Sequence, residues 1–258
     1  MAEKTSGQVQ SLSRALGILN LLAEHEGGLT LTAVTKGVAL APSTVHRLLT
    51  TLQHERFVRF NDARGTWQIG VQAFTVGSHF LRSRDLVATA RPFMEELMQR
   101  SNETTNLAMS DDGEIVYLAQ VESQQLMRAL TKPGARVAMH CSGVGKALLS
   151  QMQEREVARI LKYRGLPRLT DHTLTTMDAL MQDLNRTRPE GYAIDDEEHE
   201  LGLRCIGAPV FDENGKAMAA VSLSGPKLRI TETRIAELAG MVVEISQKIT
   251  KAYGGAAK

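Results

Sequence analysis

Cysteine is scarce in this chain, since only Cys141 and Cys205 occur among 258 residues. Two cysteines are too few for a disulfide framework, and such sparing use is typical of a reducing compartment. The sequence also lacks any apolar run of the roughly 18 residues that a membrane span requires. Its first residues contain no apolar segment of the kind found in a signal peptide. We therefore expect a cytoplasmic protein with no membrane partner.

The chain has no large excess of either charge, because 30 basic residues stand against 29 acidic ones and the formal net charge is +1. This balance excludes a basic field over the whole molecule. Residues 1–80 hold seven basic and five acidic residues. Any affinity of this region for DNA must therefore come from a few well-placed cations, and it should weaken with salt. The length is enough for two domains with separate cores.

Residues 40–52 carry two stripes at helical spacing. One stripe is apolar and consists of Val45, Leu48, Leu49 and Leu52. The other is polar and contains no acid: Ser43, His46, Arg47 and Thr50. A recognition helix needs both, because it buries one face in its own domain and presents the other to the major groove. An ordinary amphipathic surface helix would show the same stripes, so the flanking segments decide between the two interpretations.

The flanking segments follow the order of a winged helix-turn-helix. Apolar spacing over residues 12–22 predicts a first helix, and residues 30–36 predict a short second helix capped by Thr30 or Thr32. Segments 57–60 and 66–69 predict a β-hairpin, because β-rich arms flank an Asn-Asp-Ala-Arg-Gly turn. Each arginine of this wing could equally be a solvated surface charge. We predict DNA contacts by Ser43, Thr44, His46, Arg47, Thr50, Arg59 and Arg64.

From residue 102 onward strands and helices alternate. Four segments predict strands in two hairpins, over 105–109, 114–121, 206–211 and 217–224, and helices are expected from 145, over 178–187 and over 235–249. A helix over 85–101 should kink or break at Pro92. The predicted fold class is α+β. It comprises a winged helix-turn-helix over 1–70, linker helices over 71–101 and an antiparallel α+β domain over 102–258.

Three segments of the second domain combine polar groups with glycine or with an apolar strand. In residues 140–146, His-Cys-Ser-Gly-Val-Gly-Lys, the glycines would let backbone N–H groups bind an anion at a helix start, although a tight turn explains a Gly-x-Gly equally well. Five acids lie between Asp195 and Glu200, either as a solvated loop or held near the core by the strand that follows. Ser222 and Ser224 share one side of an apolar strand, where buried hydroxyls need partners unless the strand is an exposed edge.

These groups suit a small carboxylate or oxo acid in a pocket with apolar walls. Two other hypotheses use the same residues. One is an enzyme acting on small oxo acids, with Cys205 or Cys141 as nucleophile and His140 or His199 as base. The other is a zinc site made of His, Cys and Asp. Neither has a compact ligand spacing such as Cys-x-x-Cys, and we expect no catalytic residue, no metal and no cofactor.

The chain resembles the IclR family of bacterial transcriptional regulators over nearly its whole length. The resemblance rests on Ser-Leu-Ser-Arg-Ala-Leu-Gly-Ile-Leu from residue 11, Ser-Thr-Val-His-Arg-Leu-Leu from 43, Ser-Gly-Val-Gly-Lys-Ala from 142, Gly-Tyr-Ala-Ile-Asp-Asp-Glu-Glu from 191 and Ser-Leu-Ser-Gly-Pro from 222. The segments 195–205 and 252–255 are most similar to the branch that represses the acetate operon of the glyoxylate bypass. The allantoin-pathway branch is less similar.

The resemblance implies a winged helix-turn-helix, a linker helix and a GAF-like effector-binding domain. It implies homodimers formed through the DNA-binding part, and dimers of dimers on double-stranded operator DNA. The implied protein is a repressor of the glyoxylate bypass whose effector is glyoxylate or pyruvate, and not an enzyme. The alternatives are an activator, or a regulator of another catabolic operon such as one for allantoin. The position of the operator decides whether such a protein activates or represses.

The resemblance also implies the residues that bind the effector. Backbone N–H groups of Gly143 and Val144 would hold it, and the polar side chains implied are those of Asp195, Cys205, Ser222 and Ser224. The apolar wall implied is made of Ala129, Val137 and Leu203. Ala129 is smaller than the residue expected at this position in that branch, and the smaller side chain would widen the pocket.

Overall fold

The computed structural model describes residues 9–83, 86–127 and 131–255. The chain divides into two compact units, residues 1–84 and 85–258. The segment predicted as linker helices, 71–101, thus supplies one helix to each unit. Ala129, which we expect in the apolar wall of a pocket, lies outside the described residues. No helix in the described ranges is both long and apolar enough to cross a membrane.

The first unit is a helical bundle followed by a hairpin. Its helices are α1 (Gln10–Ala23), α2 (Leu31–Val38), α3 (Pro42–His54) and, after the hairpin, α4 (Val71–Ser83). Strands β1 (Val58–Asn61) and β2 (Thr66–Ile69) pair in antiparallel fashion. The winged helix-turn-helix predicted from the sequence is confirmed.

Local chemistry sets the bounds of α2 and α3. The hydroxyl of Thr30 accepts a hydrogen bond from the backbone N–H of Ala33 at 3.3 Å, which caps the start of α2. Ala39 ends this helix with a left-handed φ of 51°. Pro42 opens α3, where its missing N–H leaves no bond unmade. The apolar stripes then meet in one core made of Ile18, Leu22, Val34, Val45, Leu49, Val58 and Trp67.

Within the described residues, the second unit is built on a six-stranded antiparallel sheet of order β5-β4-β3-β8-β7-β6. The strands are β3 (Thr104–Asp111), β4 (Glu114–Val121), β5 (Arg136–Ala138), β6 (Ala193–Asp196), β7 (Leu203–Phe211) and β8 (Ala217–Pro226). The sequence predicts the four central strands and misses the two short edge strands. The α+β class is confirmed.

Helices cover both faces of this sheet. α5 (Leu86–Ser101) and α9 (Glu232–Ala252) pack on one face, while α6 (Gly143–Ser150), α7 (Glu154–Arg164) and α8 (Met177–Glu190) pack on the other. Alternation along β8 divides the two cores, since Val221 and Leu223 belong to the first and Ala220 to the second. Ser222 and Ser224 share the face of Ala220 and therefore point toward the α6 side.

Neither of the two helices that contain a proline ends at it. α5 continues through Pro92 as one helix, so the predicted break there is wrong, while the predicted kink stays a prediction. Pro92 and Ala88 are both exposed, so water can bind the Ala88 carbonyl that has lost its N–H donor. α8 also extends through Pro189 to Glu190 instead of ending at Thr187, and Gly191 ends it with a left-handed φ of 77°.

Candidate functional site

Helix α3 presents a polar face to solvent. Ser43, His46, Arg47 and Thr50 are exposed and Thr44 is half-buried, whereas Val45 and Leu49 are fully buried. The polar stripe predicted from the sequence is thus the outer face of the helix. The same spacing continues to His54, whose side chain is 86% exposed. The sequence analysis did not select His54, although its position one turn after Thr50 was a usable signal.

Three arginines of this unit are available to bind phosphate. Arg47 lies on α3, while Arg59 and Arg64 lie on and beside the β1–β2 hairpin, and all three are exposed. None of them forms an ion pair with another residue in the ranges that the structure describes. The side chain of Asn61 accepts a hydrogen bond from the backbone N–H of Arg64 at 3.2 Å, which holds the hairpin turn. The described residues of the unit therefore leave the positive charges of this surface without ion pairs.

Two of the residues predicted to contact DNA are partly engaged inside α3. The backbone N–H of Thr44 donates to the Ala41 carbonyl at 3.0 Å, so that amide is not free for a phosphate. The hydroxyl of Thr50 donates to the His46 carbonyl. Its oxygen can still accept a hydrogen bond from an external donor. Ser43, His46 and Arg47 consequently offer the more available donors on this face.

The second unit contains a cavity of about 270 Å³ between α6 and the sheet. It is lined by eight of the nine residues predicted for the effector: Val137, Gly143, Val144, Asp195, Leu203, Cys205, Ser222 and Ser224. Six further residues line it: Tyr117, Thr131, Lys132, Ala135, Ser142 and His199. Ser142 and His199 lie in segments that the sequence analysis had singled out. Tyr117 carried no such signal, because only the pairing of β4 brings it to the cavity.

Strand register places polar side chains in a row beneath the cavity. Asp195 of β6 pairs with Cys205 of β7, and Cys205 pairs with Ser224 of β8. Ser222 lies two positions away on the same face and pairs with Asn106 of β3. The Asn106 side-chain amide donates to the Ser224 hydroxyl at 3.3 Å. An acid, a thiol and two hydroxyls from three adjacent strands therefore share one surface.

The first turn of α6 lies directly on this surface. The hydroxyl of Ser142 caps the helix by accepting from the backbone N–H of Gly145 at 3.2 Å. A Cβ on Gly207 of β7 would lie 2.7–2.8 Å from backbone atoms of Gly143 and Val144. Only glycine at position 207 permits this close approach. The first-turn N–H groups of Gly143 and Val144 have no acceptor within the helix, and such groups attract an anion.

Burial controls the protonation of the groups around the cavity. Burial and the negative charge of Glu198 raise the pKa of Asp195 to about 7, although backbone N–H groups of Glu198 and His199 donate to its Oδ1 at 2.8 and 3.2 Å. Burial also raises the pKa of the Cys205 thiol well above its usual value and lowers the pKa of His199. The thiol and the imidazole are thus neutral near pH 7, while the carboxyl titrates there.

A buried ion cluster supports the loop that follows Asp195. The side chain of Lys146 on α6 is 1% exposed and contacts Asp183 of α8 at 2.9 Å as well as Glu198 of the loop. Burial opposes the charge of Lys146, but the two carboxylates outweigh that effect, and the pKa of Lys146 is raised. The cluster thus connects α6, α8 and the loop after β6 through the positive charge of Lys146.

The geometry does not favour nucleophilic or metal chemistry. Burial raises the pKa of Cys141 to about 12, so its thiol stays protonated at neutral pH. The Nε2 atom of His140 lies 3.1 Å from the Pro167 carbonyl oxygen, and His140 does not line the cavity. In the part of the chain that the structure describes, no group of three or more His, Cys, Asp or Glu residues is placed to hold a metal ion.

Known proteins give a consistent comparison. Residues 11–62 match the model of the IclR helix-turn-helix domain, and residues 78–251 match that of the C-terminal domain of the bacterial transcriptional regulator IclR. The chain is 46% identical over 252 residues to the transcriptional repressor IclR of Escherichia coli (strain K12) and to the acetate operon repressor of Salmonella typhimurium. Each alignment covers 97% of this chain and 92% of the relative.

A solved structure agrees with this comparison. The crystal structure of Thermotoga maritima IclR superposes with a TM-score of 0.79 at 28% identity, and the match covers 96% of this chain and 100% of that one. The matching domains and relatives are those of DNA-binding regulators, which excludes the enzyme hypothesis. The chain belongs to the IclR family of bacterial transcriptional regulators.

Proposed function

We propose that this protein represses the acetate (glyoxylate bypass) operon and that a small 2-oxo acid, glyoxylate or pyruvate, is its effector. The observation that carries the proposal is the cavity of the second unit, where Gly143, Asp195, Cys205, Ser222 and Ser224 converge from three separate stretches of the chain. The 46% identity to a protein named acetate operon repressor supports the choice of operon.

DNA binding is assigned to the outer face of α3 and to the β1–β2 hairpin. Arg47 would grip a guanine edge or a phosphate, and Ser43 and His46 would contact neighbouring bases. Arg59 and Arg64 would hold the backbone on either side, since wing residues commonly meet phosphates. Because the net charge of the whole chain is only +1, these few contacts and the pairing of two copies must supply most of the affinity.

Effector binding is assigned to the α6 side of the sheet. The carboxylate of a 2-oxo acid would accept hydrogen bonds from the N–H groups of Gly143 and Val144, as an anion does at a helix start. The hydroxyls of Ser222 and Ser224 would donate to its remaining oxygens. Val137 and Leu203 would cover its carbon atoms. Such a site combines apolar walls with a few convergent polar groups, as small-molecule pockets do.

The effector acts in this proposal by shifting the balance between assemblies. Homodimers would form through the DNA-binding part (residues 1–70), and dimers of dimers would bind paired half-sites. The linker helices of 71–101 would transmit the change from the effector-binding domain (102–258). An effector that binds one assembly more tightly than the other must shift their populations by the ratio of its affinities.

A DNA titration tests this function. The affinity of the protein for its own upstream DNA is measured by fluorescence anisotropy at two salt concentrations, with glyoxylate, with pyruvate and with neither. We expect a specific complex that weakens with salt and that at least one of the acids shifts. Specific DNA binding that neither acid alters would refute the proposed effector class. The absence of specific binding would refute the repressor itself.

Replacing Arg47 by alanine is expected to weaken operator binding by about 1–3 kcal/mol, because a bidentate arginine contact to a base or phosphate is lost. Effector binding to the second unit should not change. Arg14→Ala on α1 serves as the matched control, since it removes the same charge from a helix outside the proposed interface. Isothermal titration with operator DNA measures both variants. An equal loss of operator affinity in both variants would show that Arg47 is not part of the recognition surface.

A further inference from the structure

A groove lies at the C-terminal end of α6, whereas the effector cavity lies at the first turn of this helix, and the proposed function does not use the groove. It consists of two adjoining clefts of about 680 and 480 Å³ that share Met152, Glu156 and Arg159. Helix α7 forms one side. The turns of the β3–β4 and β7–β8 hairpins, at Gly113 and Gly215, close the other.

The cations of this groove lack acidic partners, unlike most cations of the unit. Lys146, Arg204 and Arg229 each form ion pairs with acids of the same unit. Arg155, Arg159 and Lys216 line the groove and are exposed. No ion pair joins any of these three to another residue in the described ranges. Two acids, Glu156 and Asp112, also line the groove, and Asp112 pairs with Arg164. The three cations outnumber these acids, so the groove carries a net positive charge that an external anion can neutralise.

The groove also has an apolar floor and neutral hydrogen-bonding groups. Leu148, Met152 and Ala217 line its larger cleft, together with the side-chain amides of Gln151 and Asn214. Apolar contacts bind side chains, and amides can pair with the N–H and C=O groups of an extended backbone. The smaller cleft ends at Tyr163, which is 73% exposed. Arginine and tyrosine are enriched at protein interfaces.

We propose that this groove binds an acidic segment of a partner protein, with acidic side chains on Arg155, Arg159 and Lys216 and an apolar side chain on the floor. The carboxylate of Glu156 lies between the two clefts. It would repel a continuous phosphate backbone but tolerates a peptide, whose acids can be spaced around it. This feature favours a protein segment over a nucleic acid. The proposal is independent of the effector cavity and of the operator.

The experiment uses the full-length protein and a fluorescein-labelled synthetic peptide in which glutamates flank two leucines. Arg159→Glu with Lys216→Glu reverses the charge on both sides of the groove. The matched control is Arg91→Glu with Lys251→Glu, which makes the same change in charge at two exposed residues outside it. Urea unfolding of each variant, followed by circular dichroism, verifies the fold. Fluorescence anisotropy at two salt concentrations measures peptide affinity.

We expect the groove variant to lose at least about tenfold in peptide affinity, because like charges then face each other, while the control keeps the wild-type value. Changing the glutamates of the peptide to glutamine, or its leucines to serine, should each weaken binding. An equal loss in both protein variants would overturn the proposal, because it would show only a general attraction of charge. No binding by the wild type would also overturn it. The proposal would also be overturned if a short single-stranded DNA bound at the groove more tightly than the peptide.

Discussion

Replacing Lys146 by methionine is expected to lower the free energy of unfolding by about 3–5 kcal/mol, the usual cost of removing one partner from a buried ion pair. Methionine keeps most of the length of the side chain but removes its charge. Asp183 and Glu198, whose side chains are 13% and 7% exposed, would then lack their shared cation. The loss should be seen in urea unfolding followed by circular dichroism.

The control for this change is Lys248→Met on α9. Lys248 also contacts two acids, Glu96 and Glu244, but all three side chains are more than a third exposed. Water screens such pairs, so little change in stability is expected. Adding Glu198→Gln to Lys146→Met should restore part of the lost stability, because one uncompensated charge disappears. Equal stabilities of the two lysine variants would contradict the assignment of a buried cluster.

The affinity for an anionic effector is expected to fall about tenfold for each pH unit above about 7, because binding then requires Asp195 to take up a proton. Burial and Glu198 by themselves raise the pKa of Asp195 to about 7. A bound carboxylate would add a second negative charge and raise it further. Below pH 7 the carboxyl is already protonated, so affinity should be level there. Above pH 7 the proton must be supplied from solution.

The groups around Asp195 leave it as the one that titrates in this range. Burial keeps Tyr117 and Cys205 protonated by raising their pKa values, and it keeps His199 neutral by lowering its own. Lys146 stays charged because its pKa is raised. Burial raises the pKa of Glu198, although the ion pair with that lysine opposes the effect. The pH dependence should therefore follow the proton of Asp195, whose pKa burial and Glu198 raise to about 7.

The Asp195→Asn variant tests this linkage. Asparagine resembles the protonated carboxyl, since its oxygen can still accept from the N–H groups of Glu198 and His199 while its amide donates. Effector affinity should become independent of pH between about 6 and 9. Asp171→Asn alters an aspartate whose side chain is 98% exposed, and it should keep the wild-type dependence. Calorimetry in buffers of different ionisation enthalpy counts the protons directly. A flat profile for the wild type would refute the linkage.

Periodicity explains which parts of the fold could be predicted. The two stripes of α3 and the alternation of Ser222 and Ser224 along β8 are local patterns, and the structure shows both. The cap at Thr30 could be predicted for the same reason, because the backbone N–H that it binds is only three residues away, at Ala33. The residues of the cavity came from the family resemblance together with these patterns.

The missed features depend on residues far apart in the chain. The sequence left the acids from Asp195 onward as either a solvated loop or a segment held near the core, and it did not predict that Asp195 and Asp196 form strand β6. They can do so because Asp196 pairs with Arg204, and Glu198 pairs with Lys146, 52 positions earlier. Tyr117 reaches the cavity only through the pairing of β4 with β3. No local pattern contains such partners, so these contacts could not be predicted from spacing.

The position of β8 has a consequence for how the protein is made. Among the described strands β8 is the last to be synthesised, yet it lies in the centre of the sheet, between β3 and β7. Thr104 of β3 pairs with Ser224 of β8, which follows it by 120 positions, so the two halves of the sheet cannot join before β8 has been made. Until then β3 and β7 each have an unpaired edge of the kind that promotes aggregation. We therefore expect the nascent second unit to need protection from aggregation until β8 has left the ribosome.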